Sequence, residues 1–129
     1  MDEELLEKAK KASENAYAPY SKFKVGAALL TSEGIFTGCN VENISYSATM
    51  CAERVAIFNA ISNGSPEFEA ICIYHPGNKM PYPCGSCLQV LSEFVFDLGF
   101  PVYVANDYNI EEYTLEELLP VRFEGELNV

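Results

Sequence analysis

The spacing of apolar side chains divides the first third of the chain into a helix and a hairpin. Apolar residues recur every three or four positions over 3–17, which predicts an amphipathic helix with Asp2 as its N-cap. Residues 22–30 instead show a two-residue period, with Phe23, Val25, Ala27 and Leu29 on one side, which predicts a strand. A turn over 31–34 precedes a second strand over 35–40, and we expect the two strands to pair antiparallel.

Helices and strands alternate through the rest of the chain. An irregular polar segment over 41–50 precedes a helix that is predicted over 52–63 and closed by Gly64. The further predicted elements are strands over 69–75, 100–105 and 110–113, a helix over 84–98, and a short helix that begins at a Thr114–Glu117 capping box and ends at Pro120. The order α-β-β-α-β-α-β-β-α predicts an α/β fold with a mixed five-stranded sheet, organised as one domain over 1–129.

The helix predicted over 52–63 has apolar side chains nearly all the way around it. A helix at a protein surface normally has one apolar stripe and one polar face. We therefore expect this helix to lie buried in the middle of the protein, or to be covered by partner subunits.

Charge and hydropathy narrow the range of partners. The chain carries eight basic and nineteen acidic residues, for a formal net charge of −11. Because phosphate backbones are bound by clustered Lys and Arg, this balance disfavours nucleic acid and favours a small neutral substrate, unless the charge serves solubility alone. No apolar run approaches the ~18 residues of a membrane span, and the acidic start Met1–Glu4 is unlike a secretory signal. We expect a cytoplasmic protein that does not enter a membrane.

Three of the five cysteines are spaced as metal ligands. Cys84 and Cys87 form a C-x-x-C motif at the start of a predicted helix, so their thiols point the same way. Cys51, at the start of the preceding helix, supplies a third soft ligand, and thiolates suit zinc. Helix N-termini also favour the thiolate form. The odd count and the absence of a secretory signal argue against a disulfide framework, so Cys39 and Cys72 are interpreted as core thiols.

Glu53 favours a catalytic site over a structural one. Three protein ligands leave one position of a tetrahedral zinc open to water, whose pKa then falls toward ~7. Glu53 lies two residues from Cys51, and neighbours two apart on a helix do not face each other, so it is a poor co-ligand. Its carboxylate can instead move protons beside the water. Arg54 is expected to donate hydrogen bonds to a thiolate and offset the charge of the three thiolates.

Motifs along nearly the whole chain resemble those of the small, homotetrameric, zinc-dependent cytidine deaminases. The matching segments are Ala16–Phe23, Val25–Leu29, Gly38–Asn43, Cys51–Arg54, Pro83–Cys87 and Glu116–Pro120. The resemblance implies a three-layer α/β/α fold, a homotetramer with shared active sites, and deamination of cytidine and deoxycytidine to uridine and deoxyuridine in pyrimidine salvage. One position departs from the pattern, since family members often carry arginine where this chain has Leu88.

The resemblance also implies a role for each matching residue. It implies one zinc ion per chain, bound by Cys51, Cys84 and Cys87, with Glu53 as the proton shuttle. The residues implied in substrate binding are Phe23 and the backbone of Ala52 for the base, Asn40 and Glu42 for the ribose hydroxyls, and Tyr46 and Phe123 from a neighbouring subunit.

Three alternatives stay open. The nearest is a deaminase of another cytosine-bearing nucleoside such as blasticidin S, although Asn40 and Glu42, which share one face of an extended chain, favour a ribose. A structural zinc module that binds a protein partner predicts a closed site, with His75 or Cys39 as the fourth ligand. A thiol redox protein that uses its C-x-x-C motif predicts disulfide cycling without zinc.

Overall fold

The computed structural model of the chain describes residues 1–64 and 66–125. Its elements are, in order, α1 (Glu3–Ser13), β1 (Gly26–Thr31), β2 (Gly34–Cys39), α2 (Ala52–Ser62), β3 (Phe68–Tyr74), α3 (Gly85–Phe94), β4 (Pro101–Ala105), β5 (Ile110–Thr114) and α4 (Leu115–Leu118), with a 3₁₀ turn over Tyr46–Ala48 before α2. The predicted order of helices and strands is confirmed. In the part of the chain that the structure describes, no helix has the length and apolar character needed to cross a membrane.

The five strands form one mixed sheet in the order β2-β1-β3-β4-β5. β1 pairs antiparallel with β2, as the hairpin prediction requires, and antiparallel with β3 on its other side. β3 and β4 are parallel, and β5 returns antiparallel to β4. A parallel pair needs a crossover connection, and α3 lies in that crossover. The loop from the end of β3 therefore leads directly to the N-terminus of α3.

Helices cover both faces of the sheet. Leu5 and Ala9 of α1 pack on one face, in a buried cluster that includes Ala28. Ala27 and Leu29, which flank Ala28 in β1, point to the opposite face and pack in the cluster formed with α2, α3 and α4. The alternation read from the sequence assigns these side chains to opposite faces because successive strand residues point in opposite directions. The three-layer α/β/α arrangement is confirmed.

Caps fix three helix ends where local chemistry predicts them. The Asp2 carboxylate accepts a hydrogen bond from the backbone N–H of Glu4 at 3.0 Å, as an N-cap does. Thr114 and Glu117 each accept a hydrogen bond from the other's backbone N–H, which is the predicted capping box. Gly64 follows the last turn of α2 with φ of +111°, in the left-handed region that favours glycine.

α1 ends at Ser13, four residues before the predicted end. The cause is a tertiary pairing of the chain that follows it. The backbone N–H of Tyr17 donates to the carbonyl of Asn40 at 3.0 Å, and the N–H of Glu42 donates to the carbonyl of Tyr17 at 2.8 Å. This pairing draws residue 17 out of the helical path that its apolar spacing predicted.

α3 is also shorter than predicted, since it ends at Phe94 rather than at residue 98, and Val95 is extended. The Arg122 guanidinium donates hydrogen bonds to the carbonyls of Ser92 and Val95 at 2.9 and 3.1 Å. These carbonyls at the helix end therefore have a partner without a further helical turn. A cation at this position also suits the negative end of the helix dipole.

α2 is not fully buried within the chain, so that expectation is wrong. Ala52, Ala56, Ile57 and Ala60 are buried, but the Phe58 side chain is 44% exposed. The alternative expectation, that partner subunits cover this helix, stays a prediction.

Candidate active site

The N-termini of α2 and α3 bring three cysteines together. Cys51 is the N-cap of α2, Cys84 is the N-cap of α3, and Cys87 lies in the first turn of α3. Their sulfur atoms all lie within 4.8 Å of one another. Each sulfur therefore lies near the unpaired N–H groups and the positive end of a helix, where thiolates are favoured.

The cysteine cluster has the dimensions of a zinc site. Zinc–sulfur bonds of about 2.3 Å in a tetrahedral site place two sulfurs roughly 3.8 Å apart, and the sulfurs of Cys84 and Cys87 are 3.5 Å apart. Within residues 1–64 and 66–125, no fourth Cys, His, Asp or Glu joins the cluster. The cluster can hold one metal ion and leave a coordination position for water. His75, considered above as a fourth ligand, instead stacks on Phe23.

Arg54 contacts the cluster as the sequence predicts. Its Nη2 atom donates a hydrogen bond to the Cys51 sulfur at 3.3 Å. The pKa of the Cys51 thiol is lowered, chiefly by the neighbouring Cys87 thiol and also by the Arg54 guanidinium. The pKa of the Cys87 thiol is raised by the same pairing with Cys51 and by burial. The Arg54 guanidinium is therefore placed to offset negative charge on the Cys51 sulfur.

Glu53 is buried beside the cysteines, with 6% of its surface exposed. It lies in the first turn of α2 and lines a small cavity together with Cys87, Leu88 and Ile57. Burial raises the pKa of the Glu53 carboxyl to about 7, and the charge of Cys51 acts in the same direction. A carboxyl with such a pKa can both accept and release a proton near neutral pH, as a general acid–base group must. Leu88, where an arginine is often found, packs in the apolar core and forms part of this cavity wall.

Asn40 uses its side chain to hold the strand that follows Phe23. Its Oδ1 accepts a hydrogen bond from the N–H of Val25 at 2.9 Å, and its Nδ2 donates to the carbonyl of Phe23 at 2.8 Å. Asn40 is itself buried. One amide hydrogen and one carbonyl lone pair of this side chain remain for a ligand.

Glu42 is anchored by the turn that precedes Phe23. Its carboxylate accepts hydrogen bonds from the backbone N–H groups of Tyr20 and Ser21 at 3.0 and 3.1 Å, and from the Ser21 hydroxyl. The Ser21 hydroxyl is the main cause of the lowered pKa of the Glu42 carboxyl. Glu42 lines an open groove together with Tyr46 and Thr49. A charged carboxylate in this groove can accept hydrogen bonds from hydroxyl groups.

A short backbone pairing joins the Asn40–Glu42 segment to the cysteine cluster. Val41 and Met50 exchange two N–H to carbonyl hydrogen bonds, each of 2.9 Å. Met50 immediately precedes Cys51, and Ala52 follows with no exposed surface. The proposed ribose and metal residues are therefore held together by the main chain.

The comparison with known families agrees with this geometry. Residues 1–98 match the family model described as the zinc-binding region of cytidine and deoxycytidylate deaminases. The chain belongs to this deaminase family. The match includes both N-terminal helix turns that carry the cysteines, and zinc is the metal that the family binds.

Similar proteins come from within the same family. The chain is 48% identical over 126 residues to the cytidine deaminase of Sporosarcina psychrophila, which covers 96% of this chain and 92% of that protein. A crystal structure of cytidine deaminase from Burkholderia pseudomallei superposes with a TM-score of 0.87 at 43% identity, covering 95% of this chain and 99% of the other. The blasticidin-S deaminase of Bacillus cereus is 31% identical over 112 residues, covering 80% and 79% of the two chains.

Two residues that the deaminase resemblance assigns to a neighbouring subunit face outward in this chain. The Tyr46 side chain is 75% exposed and meets the ring of Tyr20 edge to face, with the ring centres 6.0 Å apart. The Phe123 side chain is 81% exposed, although Gln89 binds both the N–H and the carbonyl of Phe123, at 3.1 and 3.0 Å. Both rings are therefore exposed enough to contact another molecule.

Sequence reasoning missed three residues that contact the candidate substrate-binding residues. Ser21 bonds to Glu42, Gln89 holds the backbone of Phe123, and His75 stacks on Phe23. Ser21 lies inside a motif that carries the family resemblance, which was a usable signal. Gln89 and His75 act on residues far away in sequence, and no local pattern marks them.

Proposed function

We propose that this chain catalyses the hydrolytic deamination of cytidine and deoxycytidine to uridine and deoxyuridine, with release of ammonia. The observation that carries the proposal is the buried Glu53 carboxyl beside three cysteine sulfurs that lie within 4.8 Å of one another. A buried acid beside an open metal position is suited to hydrolysis rather than to structure alone.

The proposed ligands of one zinc ion are Cys51, Cys84 and Cys87. Zinc in this site would polarise a water molecule and lower its pKa toward ~7. Glu53 accepts one proton from the water and delivers it to N3 of the base. It then carries the second water proton to the amino group. The water oxygen becomes bonded to C4, the bond from C4 to the amino nitrogen breaks, and ammonia leaves. Arg54 offsets part of the thiolate charge.

The proposed substrate contacts divide between base and ribose. Phe23 packs on the pyrimidine, and the backbone at Ala52 hydrogen-bonds it. Asn40 and Glu42 bind the ribose hydroxyls with the amide and carboxylate groups that their own-chain hydrogen bonds leave free. The Asn40–Glu42 segment supports this role because its backbone is paired to the residue before Cys51.

We further propose a homotetramer in which subunits share active sites. Tyr46 and Phe123 are the residues that a neighbouring subunit would contribute, and their outward-facing rings support this assignment. The exposed Phe58 on α2, whose side chains are mostly apolar, supports a subunit interface there. The proposal takes residues 1–129 as a single deaminase domain that acts in the cytoplasm in pyrimidine salvage. Neither nucleic acid nor a membrane is a proposed partner.

Blasticidin S is the second candidate substrate. The 31% identity to a blasticidin-S deaminase supports it, while the higher identity to cytidine deaminases favours cytidine. A comparison of kcat/KM for cytidine and for blasticidin S on the same sample decides between them, and the proposal predicts the higher value for cytidine.

Glu53→Gln tests the proposed mechanism. The amide keeps the size of the side chain but does not accept a proton, so we expect about one zinc per chain and a kcat lowered by roughly 10²–10⁴. Glu33→Gln is the matched control, because Glu33 lies exposed in the turn between β1 and β2. Its kcat should equal that of the wild type. Wild-type turnover by the Glu53→Gln enzyme would remove Glu53 from the mechanism.

A further inference from the structure

We propose that His75 is a positioning residue that fixes the Phe23 ring as one wall of the base-binding site. The inference rests on the proposed function, because that proposal assigns Phe23 to the pyrimidine. His75 belongs to none of the motifs that carry the family resemblance, and it lies at the end of β3 rather than in the cysteine cluster.

The backbone of Phe23 is held from both sides. Its N–H donates to the Ser21 hydroxyl oxygen at 3.0 Å, and its carbonyl accepts from the Asn40 amide at 2.8 Å. Ser21 also donates to Glu42, so the proposed ribose residues and the Phe23 backbone form one hydrogen-bonded unit. These bonds fix the Cα position but leave rotation about the side-chain bonds free.

The Phe23 side chain packs against the main apolar core, and the His75 ring adds a constraint on one face of the phenyl ring. It stacks on the Phe23 ring with centroids 3.8 Å apart and planes inclined by 19°. One face of the phenyl ring is therefore covered, and a base that stacks on Phe23 must use the other face. His75 is buried and so is held in place by its surroundings.

A hydrogen bond fixes the plane of the His75 ring itself. Its Nδ1 atom lies 2.7 Å from the carbonyl oxygen of Lys24. A carbonyl oxygen only accepts hydrogen bonds, so Nδ1 carries the proton. Because Lys24 directly follows Phe23, the same short segment anchors both rings of the stack.

The loop after β3 closes against the other nitrogen of the ring. A Cβ atom on Gly77 would lie 3.2 Å from Nε2 of His75, and Gly77 has φ of +136°. Glycine therefore allows the backbone to approach the imidazole edge where a side chain would crowd it. The imidazole of His75 therefore has the Gly77 backbone along one edge and the Phe23 ring on one face.

Two variants separate the stack from the hydrogen bond. His75→Asn retains an N–H donor for the Lys24 carbonyl but removes the ring, whereas His75→Phe retains an aromatic ring and removes the donor. We expect KM for cytidine to rise about 2- to 10-fold in His75→Asn, the range that corresponds to loss of one aromatic pair. We expect KM to stay nearer the wild-type value in His75→Phe. In both variants kcat and zinc content should stay close to wild type.

Tyr74→Phe is the matched control. Tyr74 precedes His75 but packs in the cluster beneath α1, on the opposite face of the sheet. Its KM should be that of the wild type. An unchanged KM in His75→Asn, or a larger rise in His75→Phe than in His75→Asn, would overturn the stacking role. Loss of zinc or of kcat at constant KM would overturn it as well, because that pattern indicates general damage to the fold.

The same experiment separates this inference from the proposed function. Wild-type turnover of cytidine reports on the proposed function, and the ratio of variant to wild-type KM reports on His75. If the wild type deaminates cytidine and the ratio is one, only the inference fails. If zinc-loaded wild type deaminates no cytosine nucleoside, both fail together.

Discussion

Replacing Gly38 by alanine should displace Glu53 by pushing α2 away from the sheet. Gly38 lies in β2 beneath the first turns of α2. A Cβ atom there would lie 2.5 Å from the backbone nitrogen of Ala56 and 2.7 Å from the carbonyl oxygen of Ala52. Both are main-chain atoms of the helix, so no side-chain rotation relieves the contact.

The required movement follows from these distances. Ordinary contacts of a Cβ atom begin near 3.4 Å, so the nitrogen of Ala56 must retreat by about 0.9 Å. Overpacking of this kind typically costs about 1–3 kcal/mol of stability. Glu53 directly follows Ala52 in the same turn, and a misplacement of about 1 Å in a reacting group can lower turnover about 10²-fold.

The assay compares kcat for cytidine with the free energy of unfolding in Gly38→Ala. Gly26→Ala is the matched control, since its Cβ would lie 2.0 Å from the carbonyl oxygen of Ala9 in α1, on the other face of the sheet. It should lose stability and keep kcat once folded. If Gly26→Ala does not fold, Ala70→Val replaces it as the control. Ala70 packs in the same buried cluster as Leu5 and Ala9 of α1, so the larger side chain crowds that face of the sheet.

Two outcomes would refute this reasoning. In the first, folded Gly38→Ala with bound zinc retains the wild-type kcat, which would show that α2 accommodates the methyl group without moving Glu53. In the second, the control on the α1 face loses as much kcat as Gly38→Ala, which would show that turnover follows general stability.

Two further predictions concern a tyrosine and a glycine. Burial, assisted by the nearby Asp107, raises the pKa of Tyr74 to about 12. The folded protein therefore keeps a phenol proton that the unfolded chain loses above about pH 10. The contribution of Tyr74 to stability is complete below about pH 10 and is lost as pH rises toward about 12. The free energy of unfolding should therefore decline less steeply between pH 10 and 12 in Tyr74→Phe, and an equal slope would contradict the assignment. Gly85→Ala adds a methyl group with no atom within 4 Å, so it should leave zinc content unchanged and stabilise by about 0.4–1 kcal/mol, as denaturant unfolding would show.

Local chemistry explains why the order of elements was predictable. The Asp2 cap, the Thr114–Glu117 capping box and Gly64 each act within a few residues, so the sequence displays them directly. The alternation of Ala27, Ala28 and Leu29 likewise assigns each residue to a sheet face. Such signals depend on backbone geometry that every helix or strand shares.

Helix ends were less predictable because distant residues determine them. α1 ends early because Tyr17 pairs with Asn40, and α3 ends early because Arg122 binds its last carbonyls. The helical periodicity continues beyond both ends. Tertiary hydrogen bonds therefore override a pattern that is favourable but weak.

The candidate site likewise combines residues that local sequence patterns reveal with a contact that only the fold reveals. Cys51, Cys84 and Cys87 lie at the starts of two predicted helices, and that spacing indicates a shared metal from the sequence alone. The stack of His75 on Phe23 has no such signal, since a lone histidine at a strand end fits several roles. Only the three-dimensional arrangement shows which ring it contacts.

Ammonia release from cytidine, with zinc measured on the same purified sample, tests the central claim most directly. The account predicts ammonia and uridine in equal amounts, with about one zinc per chain. Protein that carries zinc but releases no ammonia from cytidine would contradict the proposed reaction.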